Sequence, residues 1–213
     1  SESPFPETAT QMNKLLLLAS VGLAIVLALC FALDDYKSNF YVFDQDELHQ
    51  VALDAISKHE GDSEALFTYV AKELNRLHPG HISEEQEWVF NNAGGAMGAM
   101  WVLHSSITEY VIIFGTTIGT EGHTGRFWAD DYFTILEGEQ WSYSEGAFEK
   151  EVFQPGDMHH LPRGHAKQYR MPDHCFALEY ARGWIPLMLP FGVADTFSST
   201  LDFVTLFRTF AIY

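Results

Sequence analysis

The sequence predicts a mainly β fold with α: an N-terminal transmembrane helix, a β-sandwich or barrel, and an apolar C-terminal helical segment. Three observations carry this reading. Leu15 to Leu33, LLLLASVGLAIVLALCFAL, is an uncharged run, about nineteen residues against the roughly twenty a helix needs to cross a bilayer core. From Trp88 onward the chain breaks into short apolar and aromatic runs punctuated by glycine, among them EYVIIFGTTIG, GRFWADDYFTILEG and FALEYARG, a pattern of strands joined by turns. From Trp184 to Tyr213 charge almost vanishes, leaving Asp195, Asp202 and Arg208.

Residues 1–14 read as a tail ending in Lys14. The run at 15–33 is too long for the apolar part of a signal peptide and lacks a clean A-x-A site, so it reads as a retained anchor. Lys14 on one side and Asp34 and Asp35 on the other lean towards a cytosolic N-terminus. Residues 34–183 then hold a helical lead-in and the β domain. Asp44 is an N-cap for a helix through Leu48, Val51, Ala52 and Ile56. Leu66, Val70, Leu74 and Leu77 recur at helical spacing, and His78-Pro79-Gly80 ends that helix. In the last segment, 184–213, Leu201, Val204, Thr205 and Arg208 fit a helical period. Its pieces are too short or interrupted to span a bilayer, and they either cap the barrel or lie on a membrane.

A chain of 213 residues, 47% hydrophobic and 15% aromatic, buries one domain-sized core. A net charge of -17 with 12 scattered Lys and Arg argues against a nucleic-acid partner, because phosphate binding needs clustered cations. Cys30 and Cys175 make neither a disulfide framework nor a CxxC metal pattern.

Four stretches resemble the sterol isomerase and sigma-receptor family: NNAGGAMGAM from Asn91, HSSITEYVIIFGT from His104, GTEGHTGRFWADDYFTILEG from Gly119, and FALEYARGWIPLMLPFGVADTFSSTLD from Phe176. With the anchor and HPGH at His78 the similarity covers nearly the whole chain. ADDYFTIL, HHLPRGHAKQY and GWIPLMLPFG resemble the fungal isomerase branch more than the receptor branch. The resemblance implies a transmembrane helix, a cupin-like β-barrel around a closed apolar pocket, two membrane-facing C-terminal helices, and a single-pass homotrimer of the endoplasmic reticulum membrane. It implies conversion of Δ8-sterols to Δ7-sterols in ergosterol-type biosynthesis without a cofactor, with cationic amphiphilic amines as inhibitors. The alternative within the family is a receptor-like binder of cationic amphiphiles and sterols.

Moving a ring alkene needs a proton delivered to one carbon and another removed nearby, with a tertiary carbocation between. Carboxyls in an apolar wall suit this, because burial keeps one of them protonated at neutral pH. Glu179, in FALEY, is an ionisable group in an apolar strand. The residues alone leave open a pocket role, an ion pair with Arg182, or an outward position. The resemblance aligns it with the family's ligand-contacting glutamate, making it the central acid or cation stabiliser. The receptor's second pocket carboxylate aligns with Phe133, so that role does not transfer. Asp131, two positions earlier, faces the same way in a strand and is the expected catalytic partner, with Asp130 facing out.

His159 aligns with a pocket-facing position and either assists proton transfer or stabilises a turn. Glu109 aligns with a glutamate that holds the barrel's connecting segment, and His123, beside glycines in EGHTGR, is read as structural. Met100, Tyr110, Ile112, Phe114, Phe127, Tyr169 and Leu189 are expected to wall the substrate pocket, or else to be core. PGD followed by HHLPRGH is similar to the second cupin metal motif, but the first motif's HxH and glutamate are missing, so no metal is expected. GGAMG lacks the order of a nucleotide loop and reads as close backbone packing, which the family places near a subunit interface.

Overall fold

The computed structural model describes residues 5–212 and divides after Phe40 into two units. The first is α1 (Phe5–Tyr36) with a 3-10 turn, Lys37–Phe40. The apolar run lies inside α1, whose best 18-residue window has a mean hydropathy of 2.8. At 32 residues the helix is about 48 Å long at 1.5 Å per residue, so it exceeds the expected 15–33 at both ends. The expected tail is thus helical from Phe5, and residues 1–4 lie outside the described residues. Lys37 closes the helix end by donating 2.7 Å hydrogen bonds to the Asp34 carboxylate and carbonyl.

The second unit begins with α2 (Gln45–His59) and α3 (Ser63–Leu77). Asp44 caps α2 by accepting from Asp46 N at 2.9 Å and Glu47 N at 3.3 Å. Asp62 caps α3 through Ala65 N at 3.0 Å. Ten strands follow: β1 (Trp88–Ala93), β2 (Ala96–Ser105), β3 (Glu109–Thr116), β4 (Thr120–His123), β5 (Ala129–Gly138), β6 (Gln140–Tyr143), β7 (Glu151–Phe153), β8 (Met158–Leu161), β9 (Gln168–Met171) and β10 (Cys175–Gly183). They form two antiparallel sheets, in the orders β1-β2-β3-β10-β5-β8 and β4-β9-β6-β7.

The larger sheet is covered on both faces. On one, Val51, Leu66, Val70 and Leu74 of the helices pack with Trp101, Val111, Ile113 and Leu178. On the other, Met100, Ile112, Phe114 and Phe133 face the smaller sheet. This is why EYVIIFGT is buried at every position of β3 instead of alternating. Gly94 and Gly95 make the two-residue β1–β2 turn, both with positive φ, 64° and 84°, as a primed hairpin turn requires. A Cβ on Gly94 would stand 2.5 Å from the Phe191 ring and 2.6 Å from the His123 carbonyl, and one on Gly98 2.6 Å from the Gly115 carbonyl, whereas Gly95 faces open space, so the close packing expected of GGAMG holds at its first and last glycines.

The chain ends with a 3-10 turn (Ile185–Leu187), α4 (Leu189–Asp195), a wide π-type turn (Thr196–Thr200) and α5 (Phe203–Ile212). Leu201, expected within a helix, lies before it in the left-handed region with φ 53°. Its N–H closes the wide turn on Thr196 O at 2.9 Å. Asp202 then captures Thr205 N at 3.0 Å, which starts α5 at Phe203, two residues later than the periodicity implies. Both α4 and α5 pack on β1; Phe197 of the turn between them and Val204 and Phe207 of α5 stay exposed. Tyr213 lies outside the described residues.

Candidate active site

Sheet register assembles the site. Across β3, β10, β5 and β8, Ile112, Glu179, Phe133 and His159 fall in one row. Tyr110, Ala181, Asp131 and Leu161 fall in the next. Alternation turns all eight positions to one face, towards a cavity of about 180 Å3 between the sheets. Asp131 is a diagonal neighbour of Glu179 across β5 and β10, and Ala181, directly opposite Asp131, is too small to separate the two carboxyls.

Glu179 accepts a hydrogen bond from the Tyr110 hydroxyl. Burial pushes its carboxyl from the usual 4.5 up to about 7, with the Tyr110 bond acting in the other direction. Asp131 is held well above the usual carboxylate range by burial first, then by the charges of Glu179 and Asp130. Its Oδ1 is shut off from solvent and has no hydrogen-bond partner among the described residues. Two carboxyls so placed cannot both ionise near neutral pH. The Tyr110 hydroxyl supports the charged form of Glu179, while the Tyr132 backbone N–H gives Asp131 a smaller support of the same kind. An ion pair of Glu179 with Arg182 is not formed. Arg182 points to the helix side, donating to Gln45 Oε1 at 2.6 Å and the Tyr132 hydroxyl at 2.8 Å. Asp130 faces out, accepting from Arg163 N at 3.2 Å and lying 3.1 Å from His160 Nε2.

His159 lines the cavity with its ring stacked on Phe153 at 4.6 Å. Burial, then the Lys167 charge, lower it to about 4, which favours the neutral imidazole. Its Nε2 has no hydrogen-bond partner among the described residues. His160, next in sequence, turns to the opposite face and stacks on Tyr132 at 4.5 Å, which separates the histidines of the cupin-like motif. Among the described residues no three His, Cys, Asp or Glu gather as a metal site.

Met100, Tyr110, Ile112, Phe114, Phe127, Tyr169 and Leu189 all line the cavity. Tyr169 reaches across from the smaller sheet, and its hydroxyl is made harder to ionise by burial and by Glu179 and Asp131. Phe127 meets Phe191 of α4 edge to face at 5.2 Å, and both line the cavity with Leu189 and Phe210. His123, read as structural, also lines the cavity, while its Nδ1 accepts from Gly125 N at 2.8 Å. Glu109 lies on the helix side, fully buried. It accepts from Val42 N at 2.6 Å and the Tyr180 hydroxyl at 2.8 Å, tying down the strap that leads into α2.

Sequence reasoning missed Gln140, which lines the same cavity at 3% exposure with Oε1 unpartnered among the described residues. It also missed Tyr110 as a donor to Glu179. Hydropathy alternation in QWSY would turn Trp141 and Tyr143 inward, yet Gln140 and Ser142 are the buried pair. That inverted order is the signal of a polar station inside the barrel.

The family described as "ERG2 and Sigma1 receptor like protein" matches residues 20–213. The chain belongs to this family. Within it, a C-8 sterol isomerase from Neurospora crassa is 58% identical over 191 residues, 89% of this chain and 75% of that one. The sigma non-opioid intracellular receptor 1 of Taricha granulosa is 42% identical over 199 residues, 92% of this chain and 87% of the receptor. Among solved structures, an RmlC-like cupin from Shewanella frigidimarina superposes with a TM-score of 0.41 at 18% identity, covering 48% of this chain and 90% of the cupin.

Proposed function

We propose that this chain isomerises Δ8-sterols to Δ7-sterols, with Asp131 as proton donor and Glu179 as the base and counter-charge of the cation. The observation that carries this reading is the pair of buried carboxyls, both raised by burial, in a cavity walled mostly by apolar and aromatic side chains. Isomerase relatives at 56–58% identity support it over the more distant receptors.

Protonation of the C8–C9 alkene at C9 leaves a tertiary cation at C8. Removal of a proton from C7 then forms the C7–C8 alkene, and the proton returned to the carboxyl pair balances the one given up. The Glu179 carboxylate and the faces of Tyr110 and Phe133 stabilise the cation as it forms. Tyr110 orients Glu179 through its hydroxyl. No step needs a cofactor.

In this reading α1 anchors the protein as a single pass in the endoplasmic reticulum membrane. The exposed Phe197, Val204 and Phe207 rest on the same bilayer, cationic amphiphilic amines occupy the site of the cation, and the chain assembles as a homotrimer. The test is to incubate the purified protein with a Δ8-sterol in deuterated water. The expected product is the Δ7-sterol carrying one deuterium at C9. Amine binding without any Δ7 product leaves a receptor-like binder and overturns the enzymatic reading.

A further inference from the structure

Two polar side chains in the cavity, Gln140 and His159, have no part in the proton transfers proposed above. Gln140 and His159 are 3% and 7% exposed, line the cavity, and each keeps one polar atom, Oε1 and Nε2, without a partner among the described residues. They belong to different sheets but converge on Phe153. Gln140 pairs with Phe153 across β6 and β7, and His159 stacks on the Phe153 ring. Buried polar atoms left bare are costly in an empty protein, and two in one place describe a ligand that carries a complementary group.

The chemistry of that group follows from the atoms. An amide oxygen only accepts, so the ligand must donate to Gln140 Oε1. A neutral imidazole nitrogen accepts or donates according to its tautomer, and a hydroxyl can answer it either way while donating to the amide. A ketone or an ether has no proton to give and leaves the amide oxygen bare. The register gives its position. His159 lies in the row of Glu179 two strands away, roughly 10 Å between backbones at a spacing of about 4.8 Å per strand, and is the diagonal neighbour of Asp131 across β5 and β8, so the hydroxyl would sit on the Asp131 side of the ring system. In a sterol, ring B separates the hydroxyl on ring A from the alkene at the B/C junction.

We propose that Gln140 and His159 form a clamp for the 3-hydroxyl of the sterol, which fixes the face and depth at which the ring alkene meets Asp131 and Glu179. This rests on the sterol isomerase reading above. His159 is then a positioning residue and takes no proton from the ring.

The test compares three substrates on the full-length protein in detergent: a 3-hydroxy-Δ8-sterol, its 3-deoxy counterpart and its 3-methyl ether. The clamp predicts that kcat/KM falls about tenfold or more for both analogues, as when a buried polar partner is left unpaired. In Gln140→Leu and His159→Phe the ratio between hydroxysterol and deoxysterol should collapse towards one. Equal kcat/KM for the three substrates in the unaltered protein removes the clamp and leaves the isomerase intact. Inactivity on all three removes the isomerase reading and the clamp with it. Variants that discriminate as strongly as the parent also overturn the proposal, and because the substrate comparison needs no variant, a poorly folded substitution does not blunt it.

Discussion

Glu179→Gln separates what this carboxyl does for chemistry from what it does to the fold. Glutamine keeps the shape and can still accept from the Tyr110 hydroxyl, but it can neither take a proton nor carry charge. Turnover of a Δ8-sterol should fall by about a hundred-fold or more, the usual loss with an acid-base group, or at least about 2.7 kcal/mol of barrier at 1.36 per factor of ten. Stability should move the other way. Burial lifts Glu179 from 4.5 to about 7 in the folded protein, so between those values the native state holds a proton that the unfolded state has released. Native stability therefore falls as pH rises through this window and stays low above it, by on the order of 3 kcal/mol. Glutamine removes that penalty. At pH 4, below both values, parent and variant should melt nearly together, and at pH 8 the variant should melt higher by roughly 6–12 °C, using about 2–4 °C per kcal/mol for a domain of this size. Thermal melts of the ligand-free protein in detergent at both pH values, beside a product assay, test it. A variant that turns over normally, or melts lower at pH 8 than its parent, refutes the buried-carboxylate argument.

Asp131→Asn should also lower turnover steeply, and the double variant with Glu179→Gln should lose less than the product of the single losses, since the two groups share one proton; fully multiplicative losses would separate their roles. Tyr110→Phe removes the bond that favours charged Glu179, so its pKa should rise and the acidic limb of kcat/KM should shift to higher pH; an unmoved limb would detach Tyr110 from the titration. An amphiphilic tertiary amine should inhibit more tightly than a neutral analogue of the same size, because only the ammonium resembles the cation, and Glu179→Gln should erase the difference; equal inhibition in the parent would argue against a carboxylate beside the cation. Glu109→Ala strands Val42 N, while the Tyr180 hydroxyl keeps the Phe43 carbonyl as acceptor at 2.9 Å, so stability should drop by roughly 1–3 kcal/mol for the one stranded group, with KM for the sterol little changed in the protein that remains folded.

Much of this architecture can be read along the chain because it depends on local pattern. An uncharged apolar run of that length forms a helix wherever it sits. Asp44 and Asp62 start helices because a short acceptor meets free N–H groups, and Gly94-Gly95 turns because both residues take positive φ. The strand parity of Asp131 and Glu179 follows from pleating, since residues two apart share a face. That the two carboxyls share a cavity does not follow from pleating. It depends on β10 inserting between β3 and β5, a pairing of segments far apart in sequence that sets Ala181 opposite Asp131 and Tyr110 within reach of Glu179. The same long-range register settles which side is apolar enough to raise the carboxyls and which side, with Glu109, Tyr180 and Val42, is structural. It also turns Gln140 inward against its hydropathy, because the wall that β6 meets is His159 and Phe153 and not solvent. Composition and spacing specify which groups can ionise or turn. Where charge is tolerated, and on which carboxyl the proton rests, is a property of the packed interior, since desolvation and the Tyr110 hydroxyl exist only once distant strands have met.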